Sequence, residues 1–508
     1  MNNTNIKIKS GDNMIYVYLE GHETRYDLFE LIRVFFPGRD IKFIEDEDEY
    51  INKGLLLKSM LYKCDGKTYA RTEIYIDGFF YIDKVQCIED IDIGKHSIKR
   101  MVGIGIKKTL YNALSSISNM KIPWGVLTGI RPVKIVHNLL DEKIDEMEIL
   151  DILMREYKLF PLKAQLIIEI AKRQRRYIYP LDEDRYSLYI SIPFCPTRCI
   201  YCSFPSVPVN KYKEFIGDYR DKLIWEIKRI GELMDEKSIH SVYIGGGTPT
   251  AIPWRDLETI IKQVYLSFGK TNIKEITVEA GRPDTINQDV LNMLHDYDID
   301  RISINPQTMN DDTLKLIGRN HNSADIKKAY YMAREIGFKI INMDLIIGLP
   351  SEGKEDVLKT LVEIEKLNPE NLTVHTLAVK RGSKFKETMD KYSIGSQNII
   401  EEMIAQTANF AKKMKFKPYY LYRQKQMMGN FENIGYSKEG LECIYNMGIM
   451  EEKETIMAAG MGAVSKIFFP RENRIERVPN FKDMREYLNR CNELIDRKKK
   501  AMQKGILD

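Results

Sequence analysis

From Ser187 to Leu377 the chain alternates short, almost unbroken apolar runs with amphipathic stretches of helical length, and few folds tolerate that alternation. Leu188–Ile192, Ile239–Ile244, Glu275–Ala280, Arg301–Asn305, Ile340–Ile347 and Leu372–Leu377 read as strands. Lys211–Leu233, Asp256–Phe268, Ser323–Ile336 and Lys354–Leu367 read as helices between them. A strand that is apolar along its whole length is covered on both faces, and strands joined through helices run parallel. Six such units predict an α/β fold built on a partial (β/α)6 barrel, with polar chemistry gathered at the C-terminal strand ends.

The 508 residues exceed what one core organises, so two or three packed units are expected. Residues 1–180 read as a separate N-terminal α/β domain, with a strand over Met14–Leu19 and a helix over Arg25–Phe35. Strand-like runs at Thr72–Ile76 and Phe79–Ile82 flank Asp77-Gly78, a hairpin signal. Ser97–Ser116 and Asp145–Arg176 read as mainly helical. The loop Pro123–Pro132 between them reads as a structural junction, with Arg131 as a candidate anion contact. Residues 181–380 form the barrel, and residues 381–508 a small C-terminal domain that covers the substrate. That last part is expected to hold a helix over Ile399–Met414, the run Tyr419–Gln426 and the turn Gly460-Met461-Gly462.

Charge excludes some functions. Lys and Arg number 77 against 73 Asp and Glu, a net +4, too even a balance for a nucleic-acid protein. The run Arg497-Lys498-Lys499-Lys500 reads as a solvated face. No apolar run approaches the roughly eighteen residues that a membrane span needs. The opening Met1-Asn2-Asn3-Thr4-Asn5 lacks a basic stretch followed by an apolar one, so no secretory signal and a cytoplasmic, reducing location are expected.

Of seven cysteines, Cys64, Cys87, Cys443 and Cys491 are scattered, whereas Cys195, Cys199 and Cys202 fall on one loop after the first barrel strand. In a reducing compartment a tight group points to a metal or catalytic site and not to disulfides. Thiolates are the ligands of iron–sulfur clusters. A [4Fe–4S] cube held by three of them keeps one iron open to a small molecule that chelates through an amine and a carboxylate. Zinc would require a fourth Cys or His close by, and Cys443 is far along the chain. Gly245-Gly246-Gly247-Thr248-Pro249-Thr250 ends the second strand, where glycines let a ligand approach the backbone. Glu279, Gln307 and Asp344 lie at or near the ends of the third, fourth and fifth strands, and Arg319 follows in Gly318-Arg319-Asn320-His321.

Tyr189-Ile190-Ser191-Ile192-Pro193-Phe194-Cys195, Gly245–Thr250, Arg301–Gln307, Gly318–His321 and Met343–Pro350 together resemble the oxygen-independent coproporphyrinogen III oxidase family of radical S-adenosylmethionine (SAM) enzymes. The resemblance spans about residues 185–470; the N-terminal extension with Trp124–Pro132, and Tyr419–Gly435, are similar to the HemZ-type subgroup. It implies a [4Fe–4S] cluster on Cys195, Cys199 and Cys202 and SAM contacts from Tyr189, Gly246, Gly247, Thr248, Glu279, Gln307, Arg319 and Asp344. Of these, Tyr189, Glu279 and Asp344 are the candidate catalytic residues. It further implies reductive SAM cleavage to a 5′-deoxyadenosyl radical and oxidative decarboxylation of two propionates of coproporphyrinogen III to the vinyl groups of protoporphyrinogen IX. An electron-donor protein such as flavodoxin or ferredoxin is the implied partner.

The sequence departs from the oxidase pattern at Phe204, where a further cysteine is expected, and at Ser191, where a histidine is expected. Phe204 is shared with the heme-trafficking HemW group. An oxidase, a heme-delivery protein and another radical SAM enzyme of tetrapyrroles therefore remain as readings. Tyr419, Arg423 and Lys425 are candidates for contact with a flat, tetra-acidic tetrapyrrole. His375, in the sixth strand, is the best-placed histidine for a pocket.

Overall fold

Asp77 and Gly78 both adopt positive φ (50° and 83°), the backbone that a two-residue hairpin turn requires, and they close a hairpin of the N-terminal half. The computed structural model describes residues 14–51, 53–95, 97–129, 131–378, 397–423 and 431–503. The chain divides into two units, Met1–Ala171 and Lys172–Asp508.

In the first unit β1 (Met14–Glu20), β2 (Asp40–Ile44) and β3 (Leu55–Cys64) run parallel, and β4 (Lys67–Ile76) and β5 (Phe79–Cys87) continue the sheet antiparallel, in the order β2-β1-β3-β4-β5. Alternation puts Ile15, Val17, Leu55, Leu57, Ala70 and Ile74 into the core with Leu28, Leu31 and Ile32 of α1 (Arg25–Phe35). Helix α2 (Ile98–Ser118) packs on β4, where Thr72 and Thr109 share a hydrogen bond of 2.9 Å. The loop after α2 is a junction: Val126 N–H donates to Tyr157 O (2.9 Å), Phe160 N–H to Pro123 O (3.0 Å), and Trp124 is buried between them. Arg131 stands half-buried just before α3 (Val133–Asp141). Helix α4 (Glu146–Arg155) is capped by Asp145, and α5 (Pro161–Ile178) spans the boundary at Ala171. Sequence reading found α1, α2, the helical stretch of α4 and α5, and the hairpin of β4 and β5; it passed over α3, β2 and β3.

The second unit is built on the predicted parallel strands. They are β6 (Arg185–Ile192), then, after the short pair β7 (Phe194–Cys195) and β8 (Val207–Pro208), β9 (Ser238–Gly246), β10 (Glu275–Val278), β11 (Arg301–Ser303), β12 (Ile340–Ile347) and β13 (Asn371–Thr376). Helices α6 (Ile216–Leu233), α7 (Trp254–Phe268), α8 (Gln288–Asp296), α9 (Asp311–Leu316), α10 (Ser323–Ile336) and α11 (Lys354–Leu367) return the chain between them. All four residues of β10 and six of the eight in β12 are buried, as strands covered on both faces must be. The fold class is thus α/β with a partial (β/α)6 barrel.

The C-terminal segment extends the same sheet at both edges. Past α12 (Gln397–Lys413), β14 (Lys417–Arg423) and β15 (Glu432–Ser437) add antiparallel beside β13. After α13 (Ile444–Glu451), β16 (Thr455–Ala459) joins β6 as a further parallel strand, and β17 (Val464–Phe469) and β18 (Arg474–Pro479) follow antiparallel. Helix α14 (Met484–Gln503) packs on α6. Here the expectation of a solvated basic run is corrected. Lys498 is fully buried and paired with Glu226 at 2.9 Å, because its turn of α14 faces α6. Lys425 lies outside the described residues.

Candidate active site

Register builds the site. Strands β6 and β9 pair Tyr189 with Tyr243, Ser191 with Gly245 and Ile192 with Gly246, so the cysteine loop leaves the sheet beside the glycine run. Gly247 N–H donates to Ile192 O and Thr248 N–H to Phe194 O, both at 2.8 Å. A β-carbon on Gly247 would lie 2.7 Å from Phe194 O, and one on Gly245 would lie 2.8 Å from the Glu279 carboxyl carbon. Gly246 has φ +104°, closed to most side chains. The three glycines are small because the cysteine loop and Glu279 press against them.

The loop itself is tied down on both sides. Thr197 Oγ1 donates to Gly318 O (2.8 Å), Ile200 N–H to Ile317 O (3.2 Å) and Cys202 N–H to Cys199 O (3.1 Å). Thr248 Oγ1 donates to Cys195 Sγ at 3.6 Å. Burial pushes the Cys195 thiol up, against that hydrogen bond, so a metal is what would make it a thiolate at neutral pH. Cys199 is buried, while Cys195 and Cys202 are half-buried.

Beyond the loop, Tyr189, Tyr243 and Tyr445 form a stack, with centroids 6.3 Å apart for Tyr189–Tyr243, 5.8 Å for Tyr189–Tyr445 and 4.5 Å for Tyr243–Tyr445. Tyr243 donates to Glu279 Oε1 at 2.6 Å. Burial nevertheless raises the Glu279 carboxyl to about 7, with Asp344 adding in the same direction. Burial also opposes the charge of Asp344, but His375, Asn342 and Thr373 outweigh it and hold its carboxyl below the usual range. The contacts are Asn342 Nδ2 at 2.9 Å and His375 Nε2 at 3.9 Å, and His375 Nδ1 in turn meets the Tyr422 hydroxyl at 3.1 Å. Two neighbouring carboxyls are thus pushed apart in acidity.

Gln307 sits at φ +66°, strained for a residue with a side chain, and is pinned by Gln307 N–H to Asp344 O (2.8 Å) and Ile346 N–H to Gln307 O (2.9 Å). Arg319 spends Nη1 on Asn305 O (2.7 Å) and Gly281 O (3.3 Å) and Nη2 on the Tyr201 hydroxyl (3.3 Å). Buried atoms with no hydrogen-bond partner cluster here: Asn305 Oδ1, Gln307 Oε1, Arg319 Nε and His321 Nε2. A native interior seldom leaves such atoms unmatched, and a polar ligand at the strand ends would satisfy them.

The sequence-derived residues therefore lie at or near one end of the strands, with Glu279 against Gly245 and Gln307 hydrogen-bonded to Asp344. Tyr243, Tyr445, Asn305 and Arg282 were not singled out. Tyr243 could have been found by setting the ends of the first two strands side by side; nothing in the sequence pointed to Tyr445. Tyr419 is buried, hydrogen-bonded to Asn446 Nδ2 (3.2 Å), and Arg423 is buried too, so both belong to the packed interior of the sheet.

The site fits a cluster with an organic ligand. Among the described residues no three carboxylate, thiol or imidazole groups converge on a single ion. The ligands of a [4Fe–4S] cube are thiolates, and Cys195, Cys199 and Cys202 put three thiols on this one loop.

Residues 189–364 match the Radical SAM superfamily. The chain is 41% identical over 397 residues to the oxygen-independent coproporphyrinogen-III oxidase-like protein HemZ of Bacillus subtilis, covering 77% of this chain and 79% of that protein. It is 28% identical to the heme chaperone HemW of Haemophilus influenzae, over 59% of this chain and 75% of that one. The solved structure of coproporphyrinogen III oxidase (HemN) from Escherichia coli, described as a radical SAM enzyme, matches at 24% identity with a TM-score of 0.49, over 64% of this chain and 72% of that one. Proteins of this superfamily work with a [4Fe–4S] cluster and SAM, and the thiol loop, the glycine cradle and the unmatched polar atoms are what those two require. The chain belongs to the radical SAM superfamily, among the HemZ-like relatives of the oxygen-independent coproporphyrinogen III oxidases.

Proposed function

We propose that this protein oxidatively decarboxylates propionate side chains of coproporphyrinogen III, yielding protoporphyrinogen IX. The observation that carries the reading is the joining, at one set of strand ends, of a three-thiol loop with unmatched buried polar atoms and two carboxyls of opposed acidity.

Cys195, Cys199 and Cys202 would hold the cluster, and Gly246, Gly247 and Thr248 would receive the amino-acid end of SAM. When bound, cluster and SAM supply hydrogen-atom abstraction through reductive cleavage of SAM. Glu279 and Asp344 would accept hydrogen bonds from ribose hydroxyls and the amino group. Tyr189, stacked on Tyr243 and Tyr445, walls that place from water. Gln307 and Arg319 complete the polar lining with donors that suit a carboxylate. Each propionate would lose a hydrogen atom, then carbon dioxide and one electron, which a separate acceptor takes; a one-electron donor such as flavodoxin or ferredoxin would supply the electron that SAM cleavage consumes.

A second reading, heme delivery, is favoured by Phe204: it replaces the cysteine of the oxidase pattern and is 60% exposed beside the thiol loop. Anaerobically reconstituted protein given SAM, a reductant and coproporphyrinogen III separates the two. Protoporphyrinogen formed with matching 5′-deoxyadenosine supports the oxidase. Heme retained and passed to an apo-acceptor, with no porphyrinogen product, overturns it.

A further inference from the structure

Cys199 has a buried guanidinium aimed at its sulfur. Arg282, three residues beyond Glu279, is 4% exposed and aims Nη1 at Cys199 Sγ (3.8 Å), at Thr197 Oγ1 (3.0 Å) and at Thr197 O (3.4 Å). Its other face is clamped by Asp284 through Nε (2.9 Å) and Nη2 (2.8 Å). Asp284 in turn meets His321 Nδ1 at 3.3 Å. A second buried guanidinium, Arg319, lies behind the same loop, with Nη2 on the Tyr201 hydroxyl at 3.3 Å. Cys195 receives the Thr248 hydroxyl at 3.6 Å.

A planar fork held on three sides points its remaining N–H where it is put, and removing its charge from water is justified only by something negative in front of it. Asp284 supplies part of that. The geometry leaves the Nη1 edge facing sulfur.

We infer that Arg282 is a positioning residue that fixes the Cys199 segment of the loop and, by its charge and its N–H aimed at that sulfur, makes the cluster easier to reduce. The inference rests on the cluster assignment proposed above. A reduced cluster carries one more negative charge than the oxidised one, so a fixed cation beside a ligand sulfur stabilises the reduced form preferentially. Hydrogen bonds to cluster sulfurs act in the same direction.

The test is a potentiometric titration of anaerobically reconstituted full-length protein without SAM, followed by electron paramagnetic resonance, with iron and sulfide measured on the same samples. Arg282→Gln keeps a hydrogen-bonding side chain and loses the charge. At fixed poise its ratio of reduced to oxidised cluster should fall by on the order of tenfold, about 59 mV for one electron. Arg282→Lys keeps the charge without the fork and should fall between Arg282→Gln and wild type. A wild-type potential in Arg282→Gln at full iron content overturns the inference. Should Arg282→Gln not assemble, Arg282→Lys decides: a more negative potential supports the inference, and a potential equal to wild type overturns it. Wild-type protein with no cube-type signal would instead remove the cluster assignment itself, so the two failures are distinct.

Discussion

Glu279 shows what a single buried carboxyl costs and what it offers. Its acid, ordinarily near 4.5, is pushed up to about 7 by burial, and the Tyr243 hydroxyl at 2.6 Å only moderates the rise. Between those two values the folded chain binds more protons than the unfolded one, so this group's contribution to stability falls as pH rises through that window and is constant above it. Glu279→Gln removes the titration. Thermal midpoints of apo protein at pH 5 and pH 8 should therefore fall more steeply with pH in wild type than in the variant; parallel curves would refute the raised acidity constant. The same variant should bind SAM more weakly, which equilibrium dialysis of the reconstituted protein reads directly. The thiols allow a sharper test. Alanine at any one of Cys195, Cys199 or Cys202 should abolish SAM cleavage and lower iron content after reconstitution, whereas Cys64→Ala, an exposed thiol in the other unit, should leave both unchanged.

At the scale of elements, the parallel strands were legible because apolar runs without alternation report burial on both faces, and helical spacing reports the returns between them. Helices α1, α10 and α11 occupy the spans their periodicity gave, Arg25–Phe35, Ser323–Ile336 and Lys354–Leu367. Strand β16 was hidden because Thr455–Ala459 is short and its partner, β6, lies far back in the chain. In the site, glycines and cysteines are legible by chemistry, while Arg282 and Asn305 acquire meaning only when the third and fourth strands stand side by side. The glycine run is where element packing meets chemistry. Gly247→Ala would set a β-carbon 2.7 Å from Phe194 O and the Pro193 carbonyl carbon, backbone that can yield only by moving the thiol loop. Overpacking of this kind costs on the order of 1–3 kcal/mol. Urea denaturation should show that loss together with lower iron retention; a stable Gly247→Ala protein with wild-type iron would mean that the loop moves freely.

At the scale of the second unit, the far C-terminus reaches the thiol loop through one buried ion pair that sequence reading mistook for solvated charge, since a basic run does not reveal which of its members faces inward. Glu226 accepts from Lys498 Nζ (2.9 Å) and Asn480 Nδ2 (2.8 Å) on Oε1, and from Gly460 N–H and the Tyr487 hydroxyl, both 2.8 Å, on Oε2. The turn that begins at Gly460 is wedged against the loop: Met461 O accepts from Ser191 Oγ (3.0 Å), and a β-carbon on Gly462 would lie 2.4 Å from Pro205. Tyr219 donates to Ser191 O (2.6 Å) and accepts from Met461 N–H (3.0 Å). Removing one member of a buried pair strands the other charge, at about 3–5 kcal/mol, whereas neutralising both is far milder. Lys498→Met should accordingly destabilise by that amount and shed iron on gel filtration. Glu226→Gln combined with Lys498→Met keeps an acceptor for Gly460 N–H and the Tyr487 hydroxyl, and should recover most of both losses. If the double variant is as unstable as Lys498→Met alone, the stranded charge is not what the pair prevents, and the hold of α14 on the thiol loop comes from packing alone.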